Sequence, residues 1–254
     1  MNVFRKLTTM SLESAKKIAS TKAVDDFLKN NTVVGIGSGS TIVYAVERIA
    51  EHVKNNQWNL KFVPTSFQAK QLIHKYNLPL TDLESNPELD LCIDGADEVD
   101  GKLNLIKGGG GCLLQEKIVA SCAKTLVIVA DNTKNSTYLG EKYKKGIPIE
   151  VVPLCYLPIM NKIRNKFGGT ISLRMAQCKA GPVITDNGNF ILDWIHSDIE
   201  ANWEKINVEL LQIPGLIETG LFINMAYKAY FGMPDGSVKV QLNNADEIKR
   251  NDLQ

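Results

Sequence analysis

Apolar positions in the first third of the chain switch between the spacing of helices and that of strands. In residues 11–30 they recur every three or four positions, which predicts an amphipathic helix with Ser11 as its N-cap. Residues 32–36 form a short β-branched run that leads into a glycine-rich turn, and helical spacing resumes over residues 42–53. The order of strand, glycine turn and helix is typical of proteins that alternate the two structures.

The same order continues to about residue 130. The predicted strands are 60–64, 89–93, 103–106 and 125–130, and the predicted helices are 67–76 and 112–122. Strands that alternate with helices predict an α/β fold built on a parallel sheet with right-handed crossovers.

The pattern changes near Gly140, where prolines become frequent. The predicted helices here are 159–167 and 199–211, the predicted strands are 170–175 and 190–194, and Asp186-Asn187-Gly188 is a predicted hairpin turn. This stretch predicts a small α+β insertion. Residues 220–224 and 237–241 are expected to return the chain to the main sheet, and the polar tail after Leu242 is expected to fray.

Two domains are therefore expected. The main one comprises residues 1–140 and 217–254, and the smaller one comprises residues 141–216.

Composition and charge exclude several classes of function. The 254 residues are 44% hydrophobic and 22% charged with a net charge of +1, which predicts a soluble protein without a broad surface for nucleic acid or membranes. No apolar run approaches the roughly 18 residues of a membrane-spanning helix. The first ten residues lack the apolar core of a secretory signal, and acidic residues from Glu13 onward disfavour a mitochondrial presequence. We expect a cytoplasmic protein.

Cysteine and histidine usage argues against disulfides and against a metal centre. The five cysteines are odd in number, contain no C-x-x-C pair and lie mostly in apolar segments, so reduced thiols are expected. The three histidines are scattered, and no H-E-x-x-H motif occurs. We expect no metal and no cofactor.

The turn Gly35-Ile36-Gly37-Ser38-Gly39-Ser40-Thr41 is the first candidate for chemistry. It begins like a dinucleotide fingerprint, but Ser40 stands at the third glycine position and the next strand ends without the required acidic residue. No lysine follows Gly39, which excludes a Walker loop. Backbone N–H groups and hydroxyls at the start of a helix favour a small anion such as a sugar phosphate. The alternative is a tight turn without a ligand.

Carboxylates at Asp94, Asp97 and Glu98 directly follow the predicted strand 89–93. Open α/β sheets bind ligands at the carboxyl ends of their strands, and the small residues Gly95-Ala96 would let a ligand approach the backbone. The alternative is an ordinary acidic loop.

Residues 107–116 combine a lysine, four consecutive glycines and a glutamate. So many glycines are entropically costly for a simple turn, and before a helix they offer several backbone donors to an oxyanion or a phosphate. Lys107 adds a positive charge, and Glu116 lies within about two turns of the helix start; a solvated surface glutamate is the alternative. Such groups suit the movement of a sugar carbonyl between C1 and C2, which needs a base and a group that stabilises the enediolate.

Taken together, these motifs resemble those of the type A ribose-5-phosphate isomerases. The matching segments are 35–41, 93–98, 107–110 with Glu116-Lys117, 131–134, 185–189, 220–222 and 234–236. Each segment alone is weak evidence for the resemblance. The whole set occurs in the order found in the family, from about residue 15 to residue 240, and is highly specific for it. The resemblance implies interconversion of D-ribose 5-phosphate and D-ribulose 5-phosphate in the non-oxidative pentose phosphate pathway, without metal or cofactor.

The resemblance also implies roles for individual residues. Glu116 matches the general base that moves the proton between C1 and C2, and Lys107 matches the lysine that stabilises the enediolate. Asp94 and Asp97 match carboxylates that hold sugar hydroxyls and assist ring opening. The implied substrate-binding residues are Ser38, Gly39, Ser40, Thr41, Asp94, Gly95, Ala96, Asp97, Lys107, Gly108, Gly109, Gly110, Lys134 and Lys17, the last of which would reach the phosphate from the first helix.

For the fold, the resemblance implies a Rossmann-like, mostly parallel sheet with helices on both faces and a smaller α+β domain beside the active-site cleft. It also implies a homodimer or a homotetramer. The chain departs from many bacterial members at Gly111-Cys112, where they have two alanines, and at residues 64–67, which replace a more serine-rich stretch. The cleft wall around residues 65–70 is therefore left unassigned.

Three other functions fit these residues less well. A sugar-phosphate deaminase-isomerase would need a histidine near the motifs, and none is there. A CoA transferase would need a nucleophilic glutamate, for which Glu116 is a poor candidate. A catalytically silent sugar-phosphate sensor would lack the base or the lysine and would carry a DNA-binding module, which we do not expect in a chain of this length.

Overall fold

A computed structural model of the chain describes residues 10–196 and 201–243. In chain order the elements are α1 (Leu12–Phe27), β1 (Val33–Ile36), α2 (Ser40–Asn56), β2 (Lys61–Pro64), α3 (Phe67–Lys75), β3 (Leu91–Asp94), β4 (Glu98–Val99), β5 (Leu105–Ile106), α4 (Leu113–Ser121), β6 (Leu126–Asp131), β7 (Ile147–Val151), α5 (Tyr156–Phe167), β8 (Thr170–Leu173), β9 (Phe190–Ile195), α6 (Trp203–Leu211), β10 (Leu216–Thr219), β11 (Leu221–Phe222), β12 (Lys228–Gly232) and β13 (Val238–Leu242). The helices and strands predicted before residue 130 are all present, with bounds that differ by a few residues.

The main sheet has six strands in the order β13-β12-β6-β3-β1-β2, and all but β13 run parallel. Because strands alternate their side chains, Val127 and Val129 of β6 pack into a core with α1, α2 and α3, whereas Ile128 and Ala130 pack on the opposite face with α4. The predicted α/β fold, a mostly parallel sheet with helices on both faces, is confirmed.

One segment expected in the main sheet lies elsewhere. Leu221–Phe222 pairs antiparallel with Leu105–Ile106, and Glu98–Val99 completes a separate sheet in the order β11-β5-β4. The chain returns to the main sheet through β12, which was not predicted and which pairs parallel with β6. The predicted return near residues 237–241 is confirmed as β13, the antiparallel edge strand. An apolar pattern predicts a strand but not its partner, and β11 finds its partner more than a hundred residues earlier in the chain.

A third sheet has four antiparallel strands in the order β10-β7-β9-β8. Trp194 of β9 is fully buried in a core that this sheet shares with α5 and α6. The predicted turn at residues 186–188 is present, with a positive φ at Gly188 and a 2.9 Å bond from its N–H to the carbonyl oxygen of Thr185. The strands of this sheet lie within the predicted insertion or just beyond it, and the division into two domains stays a prediction.

Some predictions fall wholly or partly outside the described residues. Residues 197–200, where the last helix was expected to begin, are among them, and α6 starts at Trp203 after the N-cap Asn202. The tail after residue 243 and the first nine residues are also outside. Within the described ranges, no helix is both long enough and apolar enough to cross a membrane.

The strand order brings three distant loops together. Because β6, β3 and β1 are neighbours, the loops that follow their carboxyl ends, at residues 132–134, 95–97 and 37–39, meet at one edge of the sheet. Ligands bind at such an edge in open α/β sheets. The fold therefore assembles a candidate site from segments that are far apart in sequence.

Replacing Gly232 by alanine is expected to destabilise the fold by about 1–3 kcal/mol, as overpacking does. Gly232 ends β12 against α1, and a Cβ there would overlap the backbone of Ala15. Thermal unfolding followed by circular dichroism should show a Tm several degrees lower. Gly101→Ala is the matched control, because a Cβ there meets nothing closer than 3.6 Å; equal Tm values for the two variants would contradict the packing argument.

Candidate active site

A cleft of about 350 Å³ opens at the carboxyl ends of β1, β3 and β6. The predicted residues that line it are Ser38, Gly39, Ser40, Thr41, Gly95, Ala96, Asp97, Lys107, Gly108, Gly110, Glu116 and Lys134. Three predicted residues, Asp94, Gly109 and Lys17, are not among those that line the cleft. Their positions are described below.

Asp94 is fully buried under the cleft, at the end of β3. Its Oδ1 accepts hydrogen bonds from the N–H groups of Ser38 at 3.0 Å and Gly95 at 2.7 Å. Gly37 passes so close that a Cβ there would overlap the Asp94 side chain, which explains why the turn needs glycine at that position. The side chain of Asp94 therefore ties the turn after β1 to the loop after β3.

Lys107 is the buried cation at the centre of the site, with 2% of its surface exposed. Its Nζ lies 3.0 Å from Oδ2 of Asp94 and 3.2 Å from Oε1 of Glu116, and it donates a 2.6 Å hydrogen bond to the carbonyl oxygen of Gly95. Burial by itself would lower the pKa of Lys107, but the negative charges of Asp94 and Glu116 outweigh burial and raise the pKa above its ordinary value. The ammonium group therefore stays charged.

Glu116 lies in the first turn of α4 and is 5% exposed. Burial raises the pKa of its carboxyl from 4.5 to about 8; the ammonium of Lys107 opposes this rise, and the charge of Asp94 adds to it. Its Oε2 has no hydrogen-bond partner among the described residues. A buried carboxylate with one open oxygen and a pKa near neutral is suited to accept and return a proton.

The glycine loop, defined as residues 108–111, connects Lys107 to the helix that carries Glu116. Gly108 and Gly111 have positive φ values of 97° and 85°, and the N–H of Gly111 donates to the carbonyl oxygen of Gly108 at 2.9 Å. The N–H of Gly109 donates to Oδ2 of Asp97 at 2.7 Å. Gly109 therefore holds a lining carboxylate instead of lining the cleft itself.

Two further lysines line the cleft, and one of them was not predicted. Lys16 lines the cleft, and its Nζ donates a 3.0 Å hydrogen bond to Oγ of Ser40. Lys134, in the short turn after β6, lines it as well. Lys17 is exposed and does not line the cleft. Of the two adjacent lysines, Lys16 is therefore the one that lines the cleft, and the role of Lys17 at the phosphate stays a prediction.

The spacing of α1 contained the signal for Lys16. Leu12 and Lys16 are four residues apart, lie on one face of the helix and both line the cleft. Lys17 follows about 100° further round the helix. The motif match does not show which of the two adjacent lysines faces the cleft. The helical period does, because it puts Lys16 on the same face as Leu12.

Other lining residues were also missed or left unassigned. Gln68, from the unassigned stretch 65–70, accepts a 2.9 Å hydrogen bond from the N–H of Gly39 through its Oε1, and Ser66 caps α3. Asp131 and Thr133 line the cleft beside Lys134.

Cys112 lines the cleft next to the glycine loop. Burial, helped by the nearby charge of Glu116, raises the pKa of its thiol to about 11. The thiol is therefore protonated at neutral pH and is a weak nucleophile.

The part of the chain that the structure describes contains no group of three or more His, Cys, Asp and Glu side chains arranged to hold a metal ion. The site combines the ammonium of Lys107, the buried carboxyl groups of Asp94 and Glu116, and backbone N–H groups. This set can remove a proton from carbon and stabilise the resulting oxyanion.

The chain is similar to known proteins over most of its length. The family model of ribose 5-phosphate isomerase A (phosphoriboisomerase A) matches residues 61–236. The chain is 58% identical over 235 residues to the ribose-5-phosphate isomerase of Homo sapiens, which covers 92% of this chain and 75% of the human protein. It is 58% identical over 233 residues to that of Dictyostelium discoideum, which covers 91% of this chain and 99% of that protein.

Solved structures with a similar fold include proteins of the same kind. The fold is similar to ribose 5-phosphate isomerase A of Methanocaldococcus jannaschii, with a TM-score of 0.84 and 37% identity, covering 91% of this chain and 100% of that one. It is also similar to a D-ribose-5-phosphate isomerase in complex with phospho-erythronic acid, with a TM-score of 0.86 and 39% identity, covering 92% of this chain and 100% of that one.

The raised pKa of Glu116 predicts a change of stability with pH. Because the folded protein holds this proton up to about pH 8 and the unfolded chain releases it near pH 4.5, the stability that Glu116 contributes is fully present below about 4.5 and is lost as pH rises towards 8. The glutamine of Glu116→Gln has no proton to release in this range. The Tm of the variant minus the Tm of the original chain should therefore increase as pH rises.

The measurement is thermal unfolding at several values between about pH 5 and pH 8. Glu88→Gln, at an exposed position, is the control and should keep a constant Tm difference. If the Tm difference between Glu116→Gln and the original chain does not grow with pH, the carboxyl of Glu116 titrates in its ordinary range in the folded protein.

Proposed function

The chain belongs to the ribose-5-phosphate isomerase A family, and from this premise we propose that it interconverts D-ribose 5-phosphate and D-ribulose 5-phosphate through an enediolate. The observation that carries the proposal is the buried contact of Lys107 with both Asp94 and Glu116, which leaves one oxygen of Glu116 open. The reaction belongs to the non-oxidative pentose phosphate pathway.

In the proposed mechanism Glu116 moves one proton between two carbons. Its carboxylate removes the proton from C2 of the open-chain aldose, and the electron pair of that bond forms the C1–C2 double bond of the enediolate. The carbonyl oxygen at C1 becomes the oxyanion. Glu116 then returns its proton to C1. The proton of the C2 hydroxyl passes to the oxygen at C1, which leaves a ketone at C2 and a hydroxyl at C1. The raised pKa of Glu116 supports this role, because a base whose pKa lies near the working pH both holds and releases a proton readily.

Lys107 supplies the positive charge that the enediolate needs. Its raised pKa keeps the ammonium charged, and burial makes its field stronger than it would be in water. Asp94 is fully buried, and its oxygens face Lys107 and two backbone N–H groups, so we propose that it acts mainly by holding Lys107. Asp97 lines the cleft and is the better candidate to contact sugar hydroxyls and to assist ring opening.

The phosphate is proposed to bind where Lys16 and Lys134 line the cleft. Lys16 and Lys134 supply positive charge there, and Ser40 and Thr41 lie in the first turn of α2. The N-terminus of a helix offers unpaired N–H groups and a partial positive charge to an anion.

Further parts of the proposal concern the whole protein. We propose a cytoplasmic homodimer or homotetramer of two-domain subunits that takes a small sugar phosphate. The separate apolar core around Trp194 supports the second domain. The net charge of +1 supports the proposal that the protein binds neither nucleic acid nor membranes.

Glu116→Gln tests the proposed base. The variant should lose at least about 10²-fold in kcat for the conversion of ribose 5-phosphate, because glutamine cannot accept the proton from carbon. The assay is run with excess EDTA, which the original chain should tolerate, and Glu88→Gln serves as the matched control. Binding is measured separately by calorimetric titration with phospho-erythronic acid, which Glu116→Gln should still bind.

Each other result has a distinct meaning. An original chain that binds the sugar phosphate but does not convert it would favour a sensor. Loss of activity on adding EDTA would overturn the metal-free mechanism. Near-normal kcat in Glu116→Gln would keep the isomerase and remove Glu116 as the base.

Lys16 and Lys17 form a matched pair for the phosphate site. Lys16→Met should raise KM for ribose 5-phosphate by about 10- to 100-fold, since a hydrogen bond to a charged group contributes about 1.5–3 kcal/mol. Lys17→Met should change KM little, because its side chain is exposed outside the cleft. Steady-state kinetics decide between them. A larger effect at Lys17 than at Lys16 would restore the assignment made from the motif.

A further inference from the structure

Arg174 connects the four-stranded sheet to the glycine loop. It follows β8, and its Nε donates a 2.8 Å hydrogen bond to Oδ2 of Asp193 in β9, while its Nη2 donates to Oδ1 of the same carboxylate. The third nitrogen, Nη1, donates to the carbonyl oxygens of Gly108 at 2.8 Å and Gly109 at 3.2 Å. The side chains of Arg174 and Asp193 are only 15% and 16% exposed, so these bonds are largely shielded from water.

These contacts fix the direction of two successive peptide groups. In a trans peptide the N–H points opposite to the C=O. The carbonyl of Gly108 faces Arg174, and the N–H of Gly109 in the same peptide accordingly points the other way, to Oδ2 of Asp97 at 2.7 Å. By the same rule the N–H of Gly110 is directed away from Arg174.

The loop that Arg174 holds begins at the central lysine. Gly108 directly follows Lys107, whose Nζ lies 3.0 Å from Asp94 and 3.2 Å from Glu116. A rotation of the Gly108 peptide would therefore move the backbone that carries Lys107 and would also break the bond to Asp97. Arg174 itself is not among the residues that line the cleft, so any effect on the reaction must pass through the loop.

We propose that Arg174 is a positioning residue of the isomerase: anchored by Asp193, it holds the glycine loop so that Lys107 and Asp97 keep the geometry that proton transfer requires. The proposal rests on the function proposed above, since it concerns the same site. The planar guanidinium can bind a carboxylate with two nitrogens and two carbonyls with a third, whereas the single ammonium of lysine cannot reproduce this pattern.

The test compares Arg174→Lys with Arg164→Lys. Arg164 lies in α5, where it contacts Asn161 at 3.3 Å, and it is exposed outside the cleft. For Arg174→Lys we expect kcat to fall about 10- to 100-fold, as a misplaced catalytic group would cause, while KM changes less than about threefold and the protein stays folded. Arg164→Lys should match the original chain in both constants.

A second pair of variants covers a failure to fold and adds a readout that a purely structural role would not move. The double variant Arg174→Ala with Asp193→Asn leaves no unpaired buried carboxylate, so it should remain folded. Its kcat should be low. In Arg174→Ala alone, which keeps the Asp193 carboxylate, guanidinium ion added well below denaturing concentrations should restore part of the lost kcat by occupying the vacated site. The same addition should not restore Glu116→Gln.

The outcomes separate the two proposals. Folded Arg174 variants with the kcat of Arg164→Lys would overturn the positioning role and leave the isomerase intact. A change confined to KM, or a kcat loss that guanidinium does not restore in folded Arg174→Ala, would also overturn it. If the original chain and Arg164→Lys are both inactive on ribose 5-phosphate, it is the proposed function that has failed.

Discussion

The site depends on the burial of one ammonium group between two carboxylates. A charge removed from water must be compensated by partners, and Lys107 has Asp94, Glu116 and the carbonyl oxygen of Gly95 within about 3 Å. One positive charge shared by two carboxylates does not neutralise both. Glu116 remains under-compensated in a buried position, which is the physical origin of its raised pKa. The property that suits it to proton transfer therefore follows from an unbalanced buried cluster.

Hydrogen bonds in the site connect loops that the strand order of the main sheet places side by side. Asp94 ends β3 and accepts a hydrogen bond from Ser38 in the turn after β1. The strands β1 and β3 are neighbours in the sheet, although more than fifty residues separate Ser38 from Asp94. Arg174, which follows the antiparallel strand β8, holds the carbonyls of the glycine loop. The lysine thus lies between a rigid sheet edge and a braced loop, which limits the motion of its long side chain.

The sequence predicted local features well, because they depend on nearby residues. Helix periods, the N-cap at Ser11, the turn at Gly188 and the strands of the main sheet other than β12 follow from spacing and backbone preference. The pairing of Leu221–Phe222 with Leu105–Ile106 depends on contacts across the chain, and no local pattern encodes it. The same holds for Arg174, whose partners in the glycine loop lie more than sixty residues away. Among the motif residues, only the structure distinguishes Asp94, which is buried under the cleft, from Asp97, which lines it.

Charge is distributed unevenly along the cleft, and this bears on how a sugar phosphate would enter it. When Glu116 is ionised, as the proposed base must be, Asp94, Glu116 and Lys107 together carry a net negative charge, whereas Lys16 and Lys134 add positive charge to the lining of the cleft. A phosphate dianion at the carboxylate end would face repulsion that burial strengthens. At the lysine end it would meet two ammonium groups and the start of α2. In the proposed mechanism, the same imbalance would therefore favour one orientation of the substrate, with its phosphate away from the base and its carbonyl carbons beside it.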